Sequence, residues 1–425
     1  MASWNRSLRL LATSLCSGPP SEDGLVDRAA QLYGRRPRWL RPLVREYLAC
    51  FGDASRQPEA DVRAFLRENS RYRRAWKRGV ASISAGLLRE PVMWPARGAP
   101  ERWPLPQLIG VKETADWLGL DLSQLVWLCR YGGKDHYHYR WIPKRRGGWR
   151  LLETPKPLLK RTQRRLLDAL LHHIPVHEAC HGFRPAGSVH AFLRPHTHQK
   201  ILLKIDLANF FPSVTASRIH RIFLSSGYPE STASVLTRLT THATPASELP
   251  THLRREERQR LRIPHLPQGG PASPALANLS AFRLDCRLAG LAQHAGCTYT
   301  RYADDLLFSG ESSFGSAIHR FHDTVSRIIL EEGFTPNARK TRIMRQSQRQ
   351  RAAGAVLNQG LNIDRREWDR LKAILTNCLR HGLDSQNREQ LPDFRAHLDG
   401  RISWVESLSP SRGAKLRDLF RRIPG

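Results

Sequence analysis

Acidic residues are in short supply. The 425-residue chain sets 38 Asp and Glu against 68 Lys and Arg, a formal net charge of +30. An excess of that size implies a polyanionic partner. Nucleic acid suits it better than a membrane surface, because the cations are spread along the whole chain and do not line one amphipathic helix. Long apolar runs are missing as well. Nothing approaches the roughly 18 consecutive apolar residues of a membrane-spanning helix, which excludes a helical span. The seven cysteines are scattered, odd in number and form no CxxC pair. That argues against a disulfide framework and a zinc ribbon, and it suits a reducing cytoplasm. Arg6 and Arg9 interrupt any secretory apolar core in Met1 to Cys16, where a short helix is expected. No internal repeat or low-complexity segment is visible.

What is present is organised around Cys297-Thr-Tyr-Thr-Arg-Tyr302-Ala-Asp304-Asp305-Leu-Leu-Phe-Ser-Gly310. Aromatic and β-branched residues, a tight polar turn and a second apolar run predict a β-ribbon. Two adjacent aspartates at its tip repel each other unless a cation sits between them, and hard oxygen ligands suit Mg²⁺. Taken alone, the pair is equally an ordinary Asp-Asp turn. A third carboxylate at the end of another strand decides between the two.

The chain before it is helical and basic from about residue 21 to 110, with breaks at Gly18-Pro19-Pro20 and at Ala96 to Pro100. Arg35 to Arg41 and Arg71 to Arg78 interleave aromatics with cations, a pattern suited to stacking on RNA bases while pairing with phosphates. A plain solvated helix face is the other reading. A small helical unit, Val111 to Tyr131, is followed by a strand pair turning at Arg146-Gly147-Gly148 and by a helix from Leu158 to Ile174. Between Arg140 and Arg165 every Lys and Arg is opposed by a single acid, Glu153, so phosphate binding is expected there. The histidines of this region, including His136 and His138, lack the Cys or paired carboxylates of a zinc site and read as polar or phosphate contacts.

Lys200-Ile-Leu-Leu-Lys-Ile205 reads as a buried strand, and it ends in Asp206. That is the third carboxylate. Three aspartates on neighbouring strands form a cage for two cations in an in-line phosphoryl displacement. Leu266-Pro-Gln268-Gly-Gly-Pro-Ala-Ser273-Pro274 then exposes backbone before a long helix, with Ser273 as N-cap and Pro274 at the first helical position. Leu276, Leu279, Phe282 and Cys286 fall on one face of that helix. After the ribbon, Ile318, Phe321, Val325 and Ile328 mark an amphipathic helix stopped at Gly333. The order strand, helix, helix, hairpin, helix, strand predicts an α+β sheet covered on one face by helices, and a basic helical tail starts near Asp364.

With these residues placed, the sequence resembles a bacterial retron-type reverse transcriptase, the myxobacterial enzymes most closely. The likeness runs from about Leu105 to the C-terminus. It rests on Ile142-Pro-Lys, His181-Gly-Phe, Lys204-Ile-Asp-Leu-Ala-Asn-Phe-Phe-Pro-Ser-Val, Leu266-Pro-Gln-Gly, Ser273-Pro and Tyr302-Ala-Asp-Asp. The resemblance implies a right-hand polymerase: a helical basic region at 1–104, fingers and palm at 105–360, and a helical thumb and RNA-binding tail at 361–425. It implies that Asp206 and Asp304 bind two Mg²⁺ ions and that Asp305 completes the carboxylate set. Phe211 would close under the incoming sugar and favour dNTPs, Gln268 would touch that sugar, and Tyr302 would meet the primer–template minor groove. Lys144 and Arg150 match positions that neutralise the triphosphate, and Lys340 is a candidate proton donor to pyrophosphate.

Two stretches depart from the retron pattern. Phe192-Leu193-Arg194-Pro195-His196 keeps only the histidine of the Asn-Ala-x-x-His signature, and Ala352-Ala353-Gly354 stands where Val-Thr-Gly is usual. The implied activity is RNA-directed DNA polymerisation on a cognate structured non-coding RNA, giving small RNA-linked DNA (msDNA) in cytoplasmic antiphage defence. No nuclease or protease is fused, so an effector protein would be a separate chain. Two other readings stay open at this point: a group II intron-like or stand-alone defence reverse transcriptase that makes no branched DNA, and a catalytically silent RNA-binding scaffold.

Overall fold

The computed structural model describes residues 2–16, 21–51, 59–81, 103–130, 136–144, 147–185 and 187–424. The expected breaks at Gly18 to Pro20 and Ala96 to Pro100, and Arg146 of the ribbon turn, lie outside the described residues. Two compact units divide the chain: Met1–Pro175 with Phe211–Ser280, and Val176–Phe210 with Ala281–Gly425.

The first unit begins with α1 (Ala2–Cys16), α2 (Glu22–Gln31), α3 (Leu40–Phe51), α4 (Glu59–Glu68) and α5 (Ser70–Lys77). Their apolar stripes meet in one core around Leu11, Leu25, Leu40, Leu43 and Leu66. The interleaved aromatics belong to that core and not to an RNA-facing surface. Tyr72 is fully buried, its hydroxyl is 2.7 Å from that of Ser7, and its ring stacks on Trp4 at 5.2 Å. Trp39 and Trp76 pack against the same cluster. On α5 the helical period turns Tyr72 and Trp76 inward, while Arg71, Arg73, Arg74 and Lys77 stay exposed. Alternation in sequence therefore separates the two chemistries in space.

Helices α6 (Val111–Leu118) and α7 (Leu122–Leu128) follow, the second opened by a reciprocal cap between Asp121 and Gln124. Strands β1 (Tyr137–Pro143) and β2 (Trp149–Pro155) pair antiparallel in register from Tyr137↔Pro155 to Pro143↔Trp149, as the sequence predicts. Pro157 sits in the first turn of α8 (Pro157–Ala169). The rest of the unit is α9 (Ala216–Ser225), α10 (Glu230–Thr240), α11 (Arg255–Arg262) and α12 (Ser273–Ser280). The expectation for α12 needs correcting. Ser273 is its first helical residue, and the Ser273 hydroxyl is buried without a partner, so it caps nothing. The helix also stops at Ser280, and a second one, α13 (Phe282–His294), starts with a new phase that buries Leu284, Asp285 and Leu288. Phe282 and Cys286 are consequently exposed.

The second unit is built on a four-stranded antiparallel sheet of β3 (Ile201–Asp206), β4 (Thr298–Tyr302), β5 (Asp305–Gly310) and β6 (Arg342–Arg345), in the order β4-β5-β3-β6. One face carries Tyr299, which stacks on its cross-strand neighbour Phe308 at 4.8 Å. Phe321 of α14 (Ile318–Glu331) meets Phe308 edge-on at 5.2 Å. The sequence predicts helices on one face only. The other face is partly covered too: Leu202 and Leu307 share a core with Leu371, Leu375 and Ile402 of the C-terminal helices α15 (Arg365–His381), α16 (Phe394–Leu408) and α17 (Pro410–Arg421). Alternation puts Leu202, Lys204 and Asp206 on that same face, so the tail covers the far end of β3. Asp304 and Asp305, at the near end, stay half-buried.

Candidate active site

Asp206 closes β3 directly opposite Asp305, the first residue of β5, and Tyr302 ends β4 opposite Asp305. Opposed residues of an antiparallel pair share a face, so the ribbon brings both carboxylates to one sheet end. Asp304 lies in the two-residue turn between them, where Ala303 adopts a left-handed φ of 54°. The turn is tied to β3: the Leu207 N–H donates to the Asp304 carbonyl at 2.8 Å.

Positive charge converges on these carboxylates from within the chain. Lys340 Nζ donates to Asp206 Oδ1 at 2.6 Å, Asn337 Nδ2 to Asp206 Oδ2 at 3.0 Å, and Lys204 Nζ to Asp305 Oδ2 at 2.8 Å. Burial pushes the Asp304 carboxyl above its usual range, the negative charges of Asp206 and Asp305 push it further, and Lys340 opposes them. Among the described residues no group of three His, Cys, Asp or Glu side chains is gathered as a ready metal cage. Lys340 and Lys204 hold Asp206 and Asp305 as ion pairs. The donor chemistry nevertheless fits a hard divalent cation: oxygen ligands only, converging negative charge, and two ammonium groups already drawn to it.

Behind the tip, Arg301 is fully buried and forks onto Asp285 of α13, Nε to Oδ1 and Nη2 to Oδ2, both at 2.7 Å. Farther along the carboxylate face, buried His196 bridges the two ribbon strands. Its Nδ1 is 2.6 Å from Ser309 Oγ and its Nε2 2.8 Å from Thr300 Oγ1.

The family profile described as "Reverse transcriptase (RNA-dependent DNA polymerase)" matches residues 142–358. The retron Mx65 reverse transcriptase of Myxococcus xanthus is 40% identical over 329 residues, covering 74% of this chain and 72% of that protein. The retron Mx162 reverse transcriptase of the same organism is 32% identical over 333 residues, covering 73% and 66%. The chain belongs to the retron reverse transcriptase family. A solved telomerase from Candida albicans in complex with telomeric RNA also matches, with a TM-score of 0.38 and 10% identity over 66% of this chain and 56% of that one, too low to bear on the assignment.

The retron reverse transcriptase is thus an RNA-directed DNA polymerase of right-hand fold, preceded by a helical N-terminal region, and its domain type uses divalent metal ions. Among the described residues no helix is long and apolar enough to cross a membrane. Asp206, Tyr302, Asp304, Asp305 and Lys340 lie in the second unit. Lys144, Arg150, Phe211 and Gln268 lie in the first.

In that first unit, Lys144 and Arg150 are exposed on the β1–β2 ribbon. Gln268 is held against the same ribbon, its carbonyl accepting the Glu153 N–H at 2.9 Å. Glu153, the lone acid of the basic stretch, is buried against His265 Nε2 at 3.1 Å and the Thr244 hydroxyl at 2.7 Å. Phe211 is half-buried in a short helical turn, Phe210–Ser213.

Sequence reasoning missed Lys204, Asn337, Asp285 and Arg301 as parts of the site's framework. Lys204 carries a signal in retrospect: a cation two residues before Asp206 in an apolar strand must share its face. The two departures from the retron pattern also meet in space, because Phe192, Leu193 and Ala352 are buried in one core.

Proposed function

We propose that this reverse transcriptase copies part of a cognate structured non-coding RNA into small RNA-linked DNA, and that the system serves cytoplasmic antiphage defence beside a separate effector protein. Membership in the retron family supports the first part, and the +30 charge supports an RNA partner. The observation that carries the chemical reading is the placement of Asp206 opposite Asp305, with Asp304 on the turn beside them.

In this reading residues 105–360 are fingers and palm, and 361–425 the thumb. Asp206 and Asp304 would hold two Mg²⁺ ions and Asp305 would complete the set. When bound, such ions activate the primer hydroxyl and stabilise charge on the transferring phosphate. Lys340 and Lys204 keep the carboxylates oriented and partly neutralised. Lys340, exposed over nearly half its side chain, is also free to turn toward the leaving pyrophosphate as its proton donor. Lys144 and Arg150 neutralise the triphosphate of the incoming dNTP, Gln268 contacts its sugar, the Phe211 ring excludes a 2′-hydroxyl, and Tyr302 packs on the primer–template minor groove.

Asp304→Asn tests the division of labour. DNA synthesis should fall below detection while RNA affinity stays at the parent value, because the lost charge belongs to the metal site and not to the basic surfaces. Loss of RNA binding together with synthesis would contradict it.

A further inference from the structure

We propose that the buried Asp285–Arg301 pair is a positioning device that sets the turn bearing Asp304. The inference rests on the reading of Asp304 as a metal-binding carboxylate. Both side chains are wholly removed from solvent. A bidentate ion pair at such depth is a weak source of stability by itself, since the desolvation of two charges offsets their attraction. Its geometry shows a second use. Arg301 faces the helix-covered side of the sheet, away from the carboxylates, yet its remaining arm, Nη1, donates to the carbonyl of Ala303 at 3.1 Å.

Ala303 is the residue that takes the left-handed conformation immediately before Asp304. A residue with a Cβ holds that conformation only where its surroundings enforce it. Arg301 anchors the peptide on one side of Asp304, and the Leu207 N–H anchors the peptide on the other. The strand behind the turn is fixed as well: the Arg301 N–H donates to Ala179 at 2.7 Å, and its carbonyl accepts from His181 N–H at 2.8 Å. Asp285 is therefore the fixed point on α13 from which the guanidinium fork is aimed. Lysine keeps the charge of Arg301 but has no planar fork, so it cannot hold Asp285 with two bonds and Ala303 with a third. Tyr299 supplies the control. Its hydroxyl donates to Asp285 Oδ1 at 2.8 Å, in the same buried cluster, but among the described residues it makes no hydrogen bond of its own to the turn.

The experiment compares Arg301→Lys, Tyr299→Phe and Asp304→Asn by steady-state kinetics on a primed RNA template, with RNA affinity and melting temperature measured for each. Arg301→Lys should lower kcat about 100-fold while the KM for dNTP and the RNA Kd move less than about twofold, as for a displaced reacting group. Tyr299→Phe should keep kcat within about twofold despite its lost hydrogen bond. A parent-like kcat in Arg301→Lys, or activity falling in both variants in proportion to lost thermal stability, overturns the inference. Asp304→Asn separates the two levels: if it is inactive, such a failure belongs to the positioning role, and if it is active, the site reading itself has failed.

Discussion

Lys340 Nζ lies 2.6 Å from Asp206 Oδ1, and Asn337 satisfies the other oxygen of the same carboxylate. A buried strand ending in an acid is costly unless the charge is compensated. Here the compensation comes from a lysine 134 positions away in the chain, so the site holds part of its positive charge before any metal arrives.

Replacing that lysine tests this directly. Lys340→Met should lower the stability of the metal-free protein by about 1 kcal/mol, a small value because the ammonium is half-exposed. It should also enlarge the rise in melting temperature that Mg²⁺ produces, since the ion no longer competes with an internal cation. Thermal melts with and without Mg²⁺ provide the check. An unchanged Mg²⁺ shift would argue against competition at Asp206.

His196 gives a pH prediction. Burial, with a smaller contribution from His181, holds its imidazole down at about 3, against an ordinary value of 6.5. The unfolded chain therefore binds a proton that the folded chain refuses. Stability from this residue is complete above about 6.5 and drains away as pH falls toward 3, by about 2 kcal/mol at pH 5. His196→Asn, though less stable at pH 7.5, should show a flatter loss between pH 7.5 and 5 in denaturant melts. Parallel curves for parent and variant would contradict the burial argument.

Gly269 couples the Gln268 loop to the basic ribbon. Its φ of 133° is one that side chains rarely adopt, and a Cβ there would lie 2.9 Å from the Glu153 carbonyl oxygen. Gly269→Ala should cost about 1–3 kcal/mol in stability. Because the displaced segment carries Gln268, KM for dNTP should rise several-fold while RNA affinity holds. Nucleotide kinetics with a parent-like KM would dissociate this loop from the sugar contact.

Phe211→Ala should relax sugar discrimination. The ratio of kcat/KM for dNTP over rNTP is expected to fall at least about tenfold, a size typical of losing one steric contact. Matched single-nucleotide incorporation assays measure it, and an unchanged ratio would remove Phe211 from the role of gate.

Much of this was legible in the residues. Asp206 at the end of an apolar run, the Asp304-Asp305 tip between two β-prone runs, and the Ile318-Phe321-Val325-Ile328 stripe each state their own geometry through local periodicity. What stayed hidden depends on partners distant in sequence. Nothing local says that Lys340 reaches Asp206, or that Asp285 waits for Arg301. The phase break between Ser280 and Phe282 was invisible because the apolar spacing carries through it. Tyr72 and Trp76 were misread because cations and aromatics side by side on a helix point opposite ways once a core exists. Coverage of the second sheet face by the tail was missed because it joins Leu202 to Ile402, 200 residues apart.

The most direct measurement is made in cells carrying this gene with its flanking DNA, beside cells carrying the Asp304→Asn form. Small nucleic acids are extracted and tested for DNA covalently joined to RNA. The account predicts such a species with the intact aspartate and none with asparagine. Its absence from both, while the purified protein still extends a primed RNA template, would contradict the retron reaction and leave a reverse transcriptase of another kind.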